Sequence, residues 1–267
     1  MKIALCFLVY DRIRCEDIWR TWMENAGEHV EVYIHSKYKF VTKMPDFFKK
    51  IKFVNPIPTE WGTFSLVEAT SLLFSEALKD SNITKFVLLS DSCIPLKPWK
   101  YVYEKLIKND NCYAYVFNNC LERYFNTKMR IREHLRKHSQ WVILNRESVE
   151  WTRDNIGLIK DWYTGDQWVD ESWFLTSMSY RGKPVTLERT TYVDWPEGPL
   201  VRHPTTFKNL EFDELKKLVF NSDYLFGRKF TAFTTVDNMP LIDNLTKLFE
   251  EFDESCLGTK NVVKYLT

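Results

Sequence analysis

KFVLLSDSCIPL, residues Lys85 to Leu96, is an apolar run that stops at Ser90-Asp91-Ser92-Cys93 and again at Pro95. A short apolar run closed by a polar turn reads as a strand buried on both faces, whose carboxyl end hands small polar groups to a crevice. In an open α/β sheet, ligands bind in that crevice. Taken alone, Ser90, Asp91 and Ser92 could equally do no more than close the strand and cap the next element. The segments on either side decide what the strand belongs to.

Upstream, strand and helix alternate. Lys2 to Val9 reads as a first strand, Arg14 to Glu24 as a helix, His29 to His35 as a second strand, and Ile51 to Val54 as a short third strand before Pro56-Ile57-Pro58. Ser65-Leu66-Val67-Glu68 has the form of a capping box, and Leu66, Ala69, Leu73 and Ala77 continue it as a helical apolar stripe that feeds the central strand. This order predicts an α/β fold with a mostly parallel sheet and right-handed crossovers. Downstream, Cys112 to Phe117, Gln140 to Leu144, Pro184 to Leu187 and Thr190 to Val193 read as strands. Arg146 to Asn155, 166 to 180, Asp213 to Phe220 and Leu241 to Phe252 read as helices, and Thr127 to Lys137 is a basic stretch.

Composition narrows the function. With 10 Trp, 13 Tyr and 19 Phe, the chain carries more flat apolar surface than a core of its size needs, which suits a groove for sugar rings or bases. A net charge of only +1 argues against a broad nucleic-acid-binding face, so an anionic ligand must be met locally. Six cysteines, at 6, 15, 93, 112, 120 and 256, show no metal-ligand spacing, and Cys6 and Cys93 read as buried thiols. MKIALCFLVY is too brief for a signal peptide and lacks a cleavage site. No run approaches the roughly 18 apolar residues of a membrane span. The expectation is a soluble, cytoplasmic chain, or a Golgi or secretory one if an anchor has been removed. The sequons at Asn82 and Asn244 matter only in a secretory setting.

Three polar clusters could carry chemistry. Asp170-Glu171 opens a Trp-rich helix, where consecutive side chains point about 100° apart, so only one can face a crevice. Acids in a first helical turn also complement the helix dipole. Arg228-Lys229, between Phe226 and Phe230, could hold two cations against a diphosphate or could be surface charge. Asp194-Trp195 with Arg202-His203 is a polar loop after a strand.

Glu60-Trp61-Gly62, Ser65 with Glu68-Ala69, FVLLSDSCIPL, Ser139-Gln140-Trp141 with Asn145-Arg146-Glu147, Val169-Asp170-Glu171, Tyr192 to Trp195, His203-Pro204 with Thr206-Phe207, and Leu225-Phe226 with Arg228-Lys229-Phe230 occur in one order. Together, over roughly residues 1 to 235, they resemble the core-2/I-branching β-1,6-N-acetylglucosaminyltransferase family (glycosyltransferase family 14), most closely its plant-type branch. The resemblance implies a GT-A type, Rossmann-like domain that transfers a sugar, GlcNAc first among the candidates, from a UDP-sugar to a glycan or other hydroxyl acceptor with inversion. With no internal repeat, low-complexity segment or linker in the sequence, one domain over 1–267 is expected: a nucleotide-binding half (1–100), an acceptor and catalytic half (101–235) and a C-terminal helical extension (236–267).

The family lacks the usual Asp-x-Asp metal site, and Ser90-Asp91-Ser92-Cys93 likewise supplies one carboxylate, so no divalent metal or other cofactor is expected. By the resemblance, Glu171 is the catalytic base and Lys229 the diphosphate-binding lysine, with Arg228 or Arg202 as the second cation. Val9, His35, Asp91 and Ser92 fall on the nucleotide side, although animal members carry an Asp where His35 stands. Trp61, Asp170, Gln140, Trp141, Trp195 and Arg202 fall on the substrate side, and of the acid pair Asp170 is expected to serve the helix terminus. No nucleic-acid partner is implied. Two rivals remain: a glycoside hydrolase, which needs a second acid across the sugar, and a non-catalytic sugar-binding protein on the same fold.

Overall fold

The structure is a computed structural model that describes residues 1–45, 51–117, 127–163, 165–197 and 203–263, with the backbone alone at 130 and 256–263. Its contacts group the chain into two compact units that interleave in sequence: Met1–Ile13, Gly27–Asp91 and Lys105–Thr190 form one, and Arg14–Ala26, Ser92–Glu104 and the chain from Thr191 onward form the other.

The first unit is built on a five-stranded sheet. Strands β1 (Lys2–Val9), β2 (Val30–Ser36), β3 (Lys52–Phe53) and β4 (Ile83–Ser90), with the later β6 (Ile143–Asn145), lie in the order β3-β2-β1-β4-β6. Every pair is parallel except β4 with β6, which confirms the expected α/β class and mostly parallel sheet. Phe86, Val87, Leu88 and Leu89 of β4 and Ile3 to Phe7 of β1 are buried in unbroken runs, as strands covered on both faces require.

Helix α2 (Ser65–Ala77) packs on this sheet with Val67, Ala69, Leu73, Phe74 and Ala77 buried. It does not use the expected capping box. Phe64 is the N-cap, Ser65 Oγ instead accepts from Glu60 N at 2.9 Å, and Glu68 pairs with Lys160 at 2.7 Å. Helix α4 (Arg146–Asp154) has a side-chain cap, the Asn145 side chain accepting from Ser148 N. The expected strands at 112–117 and 184–187 reduce to single bridges, Tyr113 with Ile143 and Thr186, and Val116 with His138. Their alternation is real, but a ladder also needs a partner that stays straight beside it.

In the second unit, β5 (Ile94–Pro95), β9 (Phe226–Arg228) and β7 (Thr191–Val193) form one small sheet. Strands β8 (Asn209–Leu210), β10 (Thr235–Val236) and β11 (Met239–Pro240) form another. Helices α1 (Glu16–Ala26), α7 (Phe212–Phe220) and α8 (Leu241–Val263) pack around a core that includes Ile18, Ile94, Leu215, Phe230, Leu245 and Leu248. Two indoles of α1 fix the segment after Ser92: Trp19 Nε1 donates to Cys93 O at 2.8 Å and Trp22 Nε1 to Lys97 O at 2.9 Å. Among the described residues, further α-helices are α3 (Trp99–Ile107), α5 (Ile156–Trp162) and α6 (Trp173–Tyr180). Cys6, Cys15, Cys93 and Cys112 are buried, as expected for Cys6 and Cys93. Among the described residues no helix is long and apolar enough to cross a membrane.

Arg146 secures the entry to the central strand. Its guanidinium donates to Leu78 O at 2.7 Å, Asp80 O at 3.1 Å and Ile83 O at 2.9 Å, collecting carbonyls left over between the end of α2 and the start of β4. Arg146→Met should therefore lower the urea midpoint by the equivalent of about 2 kcal/mol or more with the m-value unchanged, since hydrogen bonds from a charged donor are lost and acceptors left bare. A midpoint within error of the parent would show that water replaces the guanidinium without cost.

Candidate functional site

The parallel register brings the ends of three strands together. Val9 stands beside Ser36 and Leu8 beside Ser90, so Val9, His35 and Asp91 arrive at one edge of the first unit. His35 is 1% exposed, and its Nε2 accepts from Ile57 N at 3.0 Å. Burial lowers its pKa, keeping the ring neutral. His35 thus braces the segment after β3 and does not present its ring to solvent as a ribose contact would. Beyond these strand ends lies a feature the sequence reading missed. The exposed rings of Tyr10 and Tyr38 stack at 6.4 Å, with Lys37 Nζ 5.8 Å from each. The signal was one tyrosine just past each of two strands, in LVYDR and HSKYK.

The acid pair occupies a 3-10 turn, Val169–Glu171, and α6 begins only at Trp173. Trp168 enters this turn in the left-handed region (φ 55°) and donates its N–H to Gly62 O at 2.5 Å. Gly62 has φ 75°, which its lack of a side chain makes inexpensive. That clasp sets the ring of Trp61, 64% exposed, edge-on to Trp168 at 6.1 Å, so Trp61 stands beside the turn that carries Glu171.

The two acids meet different surroundings. Glu171 keeps 29% of its side chain exposed and lies 3.5 Å from Lys137 Nζ. Asp170 is 8% exposed, and its Oδ1 has no hydrogen-bond partner among the described residues. Burial, reinforced by the neighbouring Glu171 charge, pushes its carboxyl up to about 7. Asp170 therefore does not serve a helix terminus as expected from the sequence, because the 3-10 turn and Ser172 separate it from the first turn of α6.

His138 holds this turn from below. Its N–H donates to Glu171 O at 2.6 Å, its Nε2 accepts from Phe174 N at 3.2 Å, and its Nδ1 lies 2.7 Å from Ser139 O. A ring nitrogen that accepts from the start of a helix must be unprotonated, and full burial holds the imidazole at about 4. Gln140 is half-buried, whereas Trp141 is 6% exposed and is a core residue, not an open sugar platform.

The second unit carries the cation pair. Arg228 ends β9, and both Arg228 and Lys229 are half-buried between Phe226 and Phe230, which are fully buried. Gly227 lies within β9 and makes no turn. A Cβ there would lie 2.9 Å from Leu96 Cδ1, so a larger residue would force that side chain to shift. Lys229 is fixed by its main chain, its O accepting from Phe207 N at 3.0 Å, and the next residue, Phe230, donates to Ser92 O at 2.9 Å. Trp195 is 48% exposed beyond β7, and Arg202 lies outside the described residues.

Comparison with known proteins supplies the context. The family model described as Core-2/I-Branching enzyme matches residues 3–219. Glycosyltransferase BC10 of Oryza sativa subsp. japonica is 29% identical over 157 residues, covering 56% of this chain. The chain spans 39% of that relative's length. Among solved structures, an active-site mutant of LgtC aligns over 93% of this chain and 96% of its own at 8% identity, with a TM-score of 0.44. The galactosyltransferase LgtC in complex with donor and acceptor sugar analogues aligns over the same shares at 6% identity, with a TM-score of 0.42. At those scores the structural likenesses carry no argument.

The opposite shifts of Asp170 and His138 make a pH prediction. Asp170 has a folded pKa raised from 3.8 to about 7, so its contribution is present below 3.8 and lost as pH rises through 7. His138 has a folded pKa lowered from 6.5 to about 4, so its contribution is held above 6.5 and lost as pH falls towards 4. The slopes oppose each other in one window. Asp170→Asn removes the first, so the variant should be at least as stable as the parent at pH 8 and should lose stability more steeply than the parent on acidification. Urea midpoints between pH 4 and 8 that stay parallel for the two proteins would exclude this account.

Proposed function

This chain belongs to the Core-2/I-branching enzyme family, and on that premise we propose that it is an inverting glycosyltransferase that moves a sugar, GlcNAc by first choice, from a UDP-sugar to a hydroxyl of a glycan acceptor without a divalent metal. The observation that carries the reading is the Glu171 turn. A partly exposed carboxylate sits on a turn that main-chain bonds hold, and Trp168, which enters that turn, meets the open ring of Trp61 edge-on. An aromatic face packs against the apolar face of a sugar, and a carboxylate within reach of the sugar's hydroxyl can take its proton.

In this reaction the acceptor oxygen bonds to the anomeric carbon on the face opposite UDP, and the carbon–oxygen bond to UDP breaks with its electron pair leaving on the diphosphate. The acceptor proton passes to Glu171. Lys229, with Arg228 beside it, supplies the positive charge that the departing diphosphate needs, in place of a metal ion. The support for metal independence is the donor set: Asp91 is the one carboxylate in Ser90-Asp91-Ser92-Cys93, and hard divalent cations require several oxygen ligands. Trp195, exposed beyond β7, and Gln140 remain candidates for acceptor contacts.

A panel of UDP-sugars assayed for UDP release tests the reading. One member of the panel should turn over in the presence of EDTA, and restoration by manganese after chelation would make Asp91 a ligand. Glu171→Gln should lower turnover roughly 100-fold or more with UDP affinity unchanged. Lys229→Ala should weaken UDP binding as well as turnover, since a cation on the diphosphate acts in both ground and transition states. If no UDP-sugar turns over yet one stabilises the fold, the chain is a sugar-nucleotide-binding protein.

A further inference from the structure

Lys137 closes the basic stretch that begins at Thr127, and the mechanism above does not use it. Its side chain is only 11% exposed, less than that of the carboxylate it faces at 3.5 Å. The ammonium also sits 5.1 Å from the Phe117 ring centroid. The backbone that carries it is tied on both sides: Lys137 O accepts from Phe117 N at 3.0 Å, Arg136 N donates to Thr176 Oγ1 at 3.1 Å, and His138 and Ser139 donate to Glu171 O and Tyr115 O at 2.6 and 2.8 Å. A lysine on a fixed backbone with most of its side chain covered is no ordinary surface charge.

Lys85 and Lys97 are lysines buried more deeply than Lys137. Lys85, 1% exposed, donates to Asn111 O at 2.6 Å, and Lys97, 1% exposed, reaches the carbonyl of Val219 and faces the Phe252 ring. At Lys137 the fold sets the ammonium 3.5 Å from the carboxylate assigned as the base.

We propose that Lys137 is a positioning residue that orients the Glu171 carboxylate towards the acceptor hydroxyl. The proposal rests on the reading of Glu171 as the base. Held between Lys137 and open solvent, one carboxylate oxygen is engaged and the other is left to receive the proton, so the base does not search rotamers during turnover. Lys137 touches neither the donor nor the acceptor in this role, and its effect passes entirely through Glu171.

A double-mutant cycle on the intact chain tests this, reading UDP release from whichever of UDP-GlcNAc, UDP-xylose and UDP-glucose turns over, together with urea unfolding. Lys137→Met should lower turnover roughly 10- to 100-fold with the Michaelis constant for the donor unchanged, and Lys137→Arg should recover most of the loss. The variant carrying both Lys137→Met and Glu171→Gln should be no slower than Glu171→Gln alone, and the pair should also show non-additive urea midpoints. Losses that multiply in the double variant, additive midpoints, or Lys137→Met turnover within twofold of the parent would overturn the positioning role while leaving Glu171 as the base. A fully active Glu171→Gln variant would instead remove the base assignment, and the proposal with it.

Discussion

Burial of β1 and β4 on both faces is the constraint on which the rest of the first unit depends. A strand with no solvent face can carry polar groups only where it ends, and a parallel ladder puts the like ends of its strands at the same edge. Val9, Ser36 and Ser90 therefore meet at one edge with the residues next in the chain. Arg146 belongs to the same constraint. The tight passage from α2 into β4 strands several carbonyls, and a single guanidinium satisfies three of them.

This is why the amino-terminal half was legible in sequence. Lys2–Val9 and the apolar part of Ile83–Ser90 are continuous apolar segments whose period needs no tertiary knowledge, and the structure returns them within two residues. The half after α3 was less so. Cys112 to Phe117 alternates as a strand should, yet it pairs through isolated bridges, because its neighbours at Thr186 and His138 each pass it at a single residue. Ser65 has the right spacing to Glu68 for a capping box, but Glu60 N claims its hydroxyl and Lys160 claims the glutamate. Local motifs were read correctly as chemistry and lost to longer-range partners.

The site divides along the same line. The ordered short blocks named the family, and the family model over residues 3–219 agrees. What the blocks could not convey is which side chains the fold leaves open. Trp61 is open and Trp141 is closed, although both sit in motifs of similar form. Tyr10, Tyr38 and Lys137 lie outside the quoted motifs, and only the fold brings them to a strand edge or to an acid.

The acid pair can be ordered by environment alone. Two neighbouring carboxylates cannot both be ionised cheaply in a poorly hydrated place, and the less solvated one holds its proton to higher pH. Asp170, with Oδ1 enclosed and unpartnered among the described residues, is that member, and its carboxyl is driven up to about 7. Glu171 retains a solvent-facing side chain and a lysine beside it. A general base must reach the hydroxyl it deprotonates, and a carboxyl oxygen sealed inside the protein cannot. Environments that separate two adjacent acids in this way also separate their roles. Within the pair, this division favours Glu171 over Asp170 as the proposed proton acceptor.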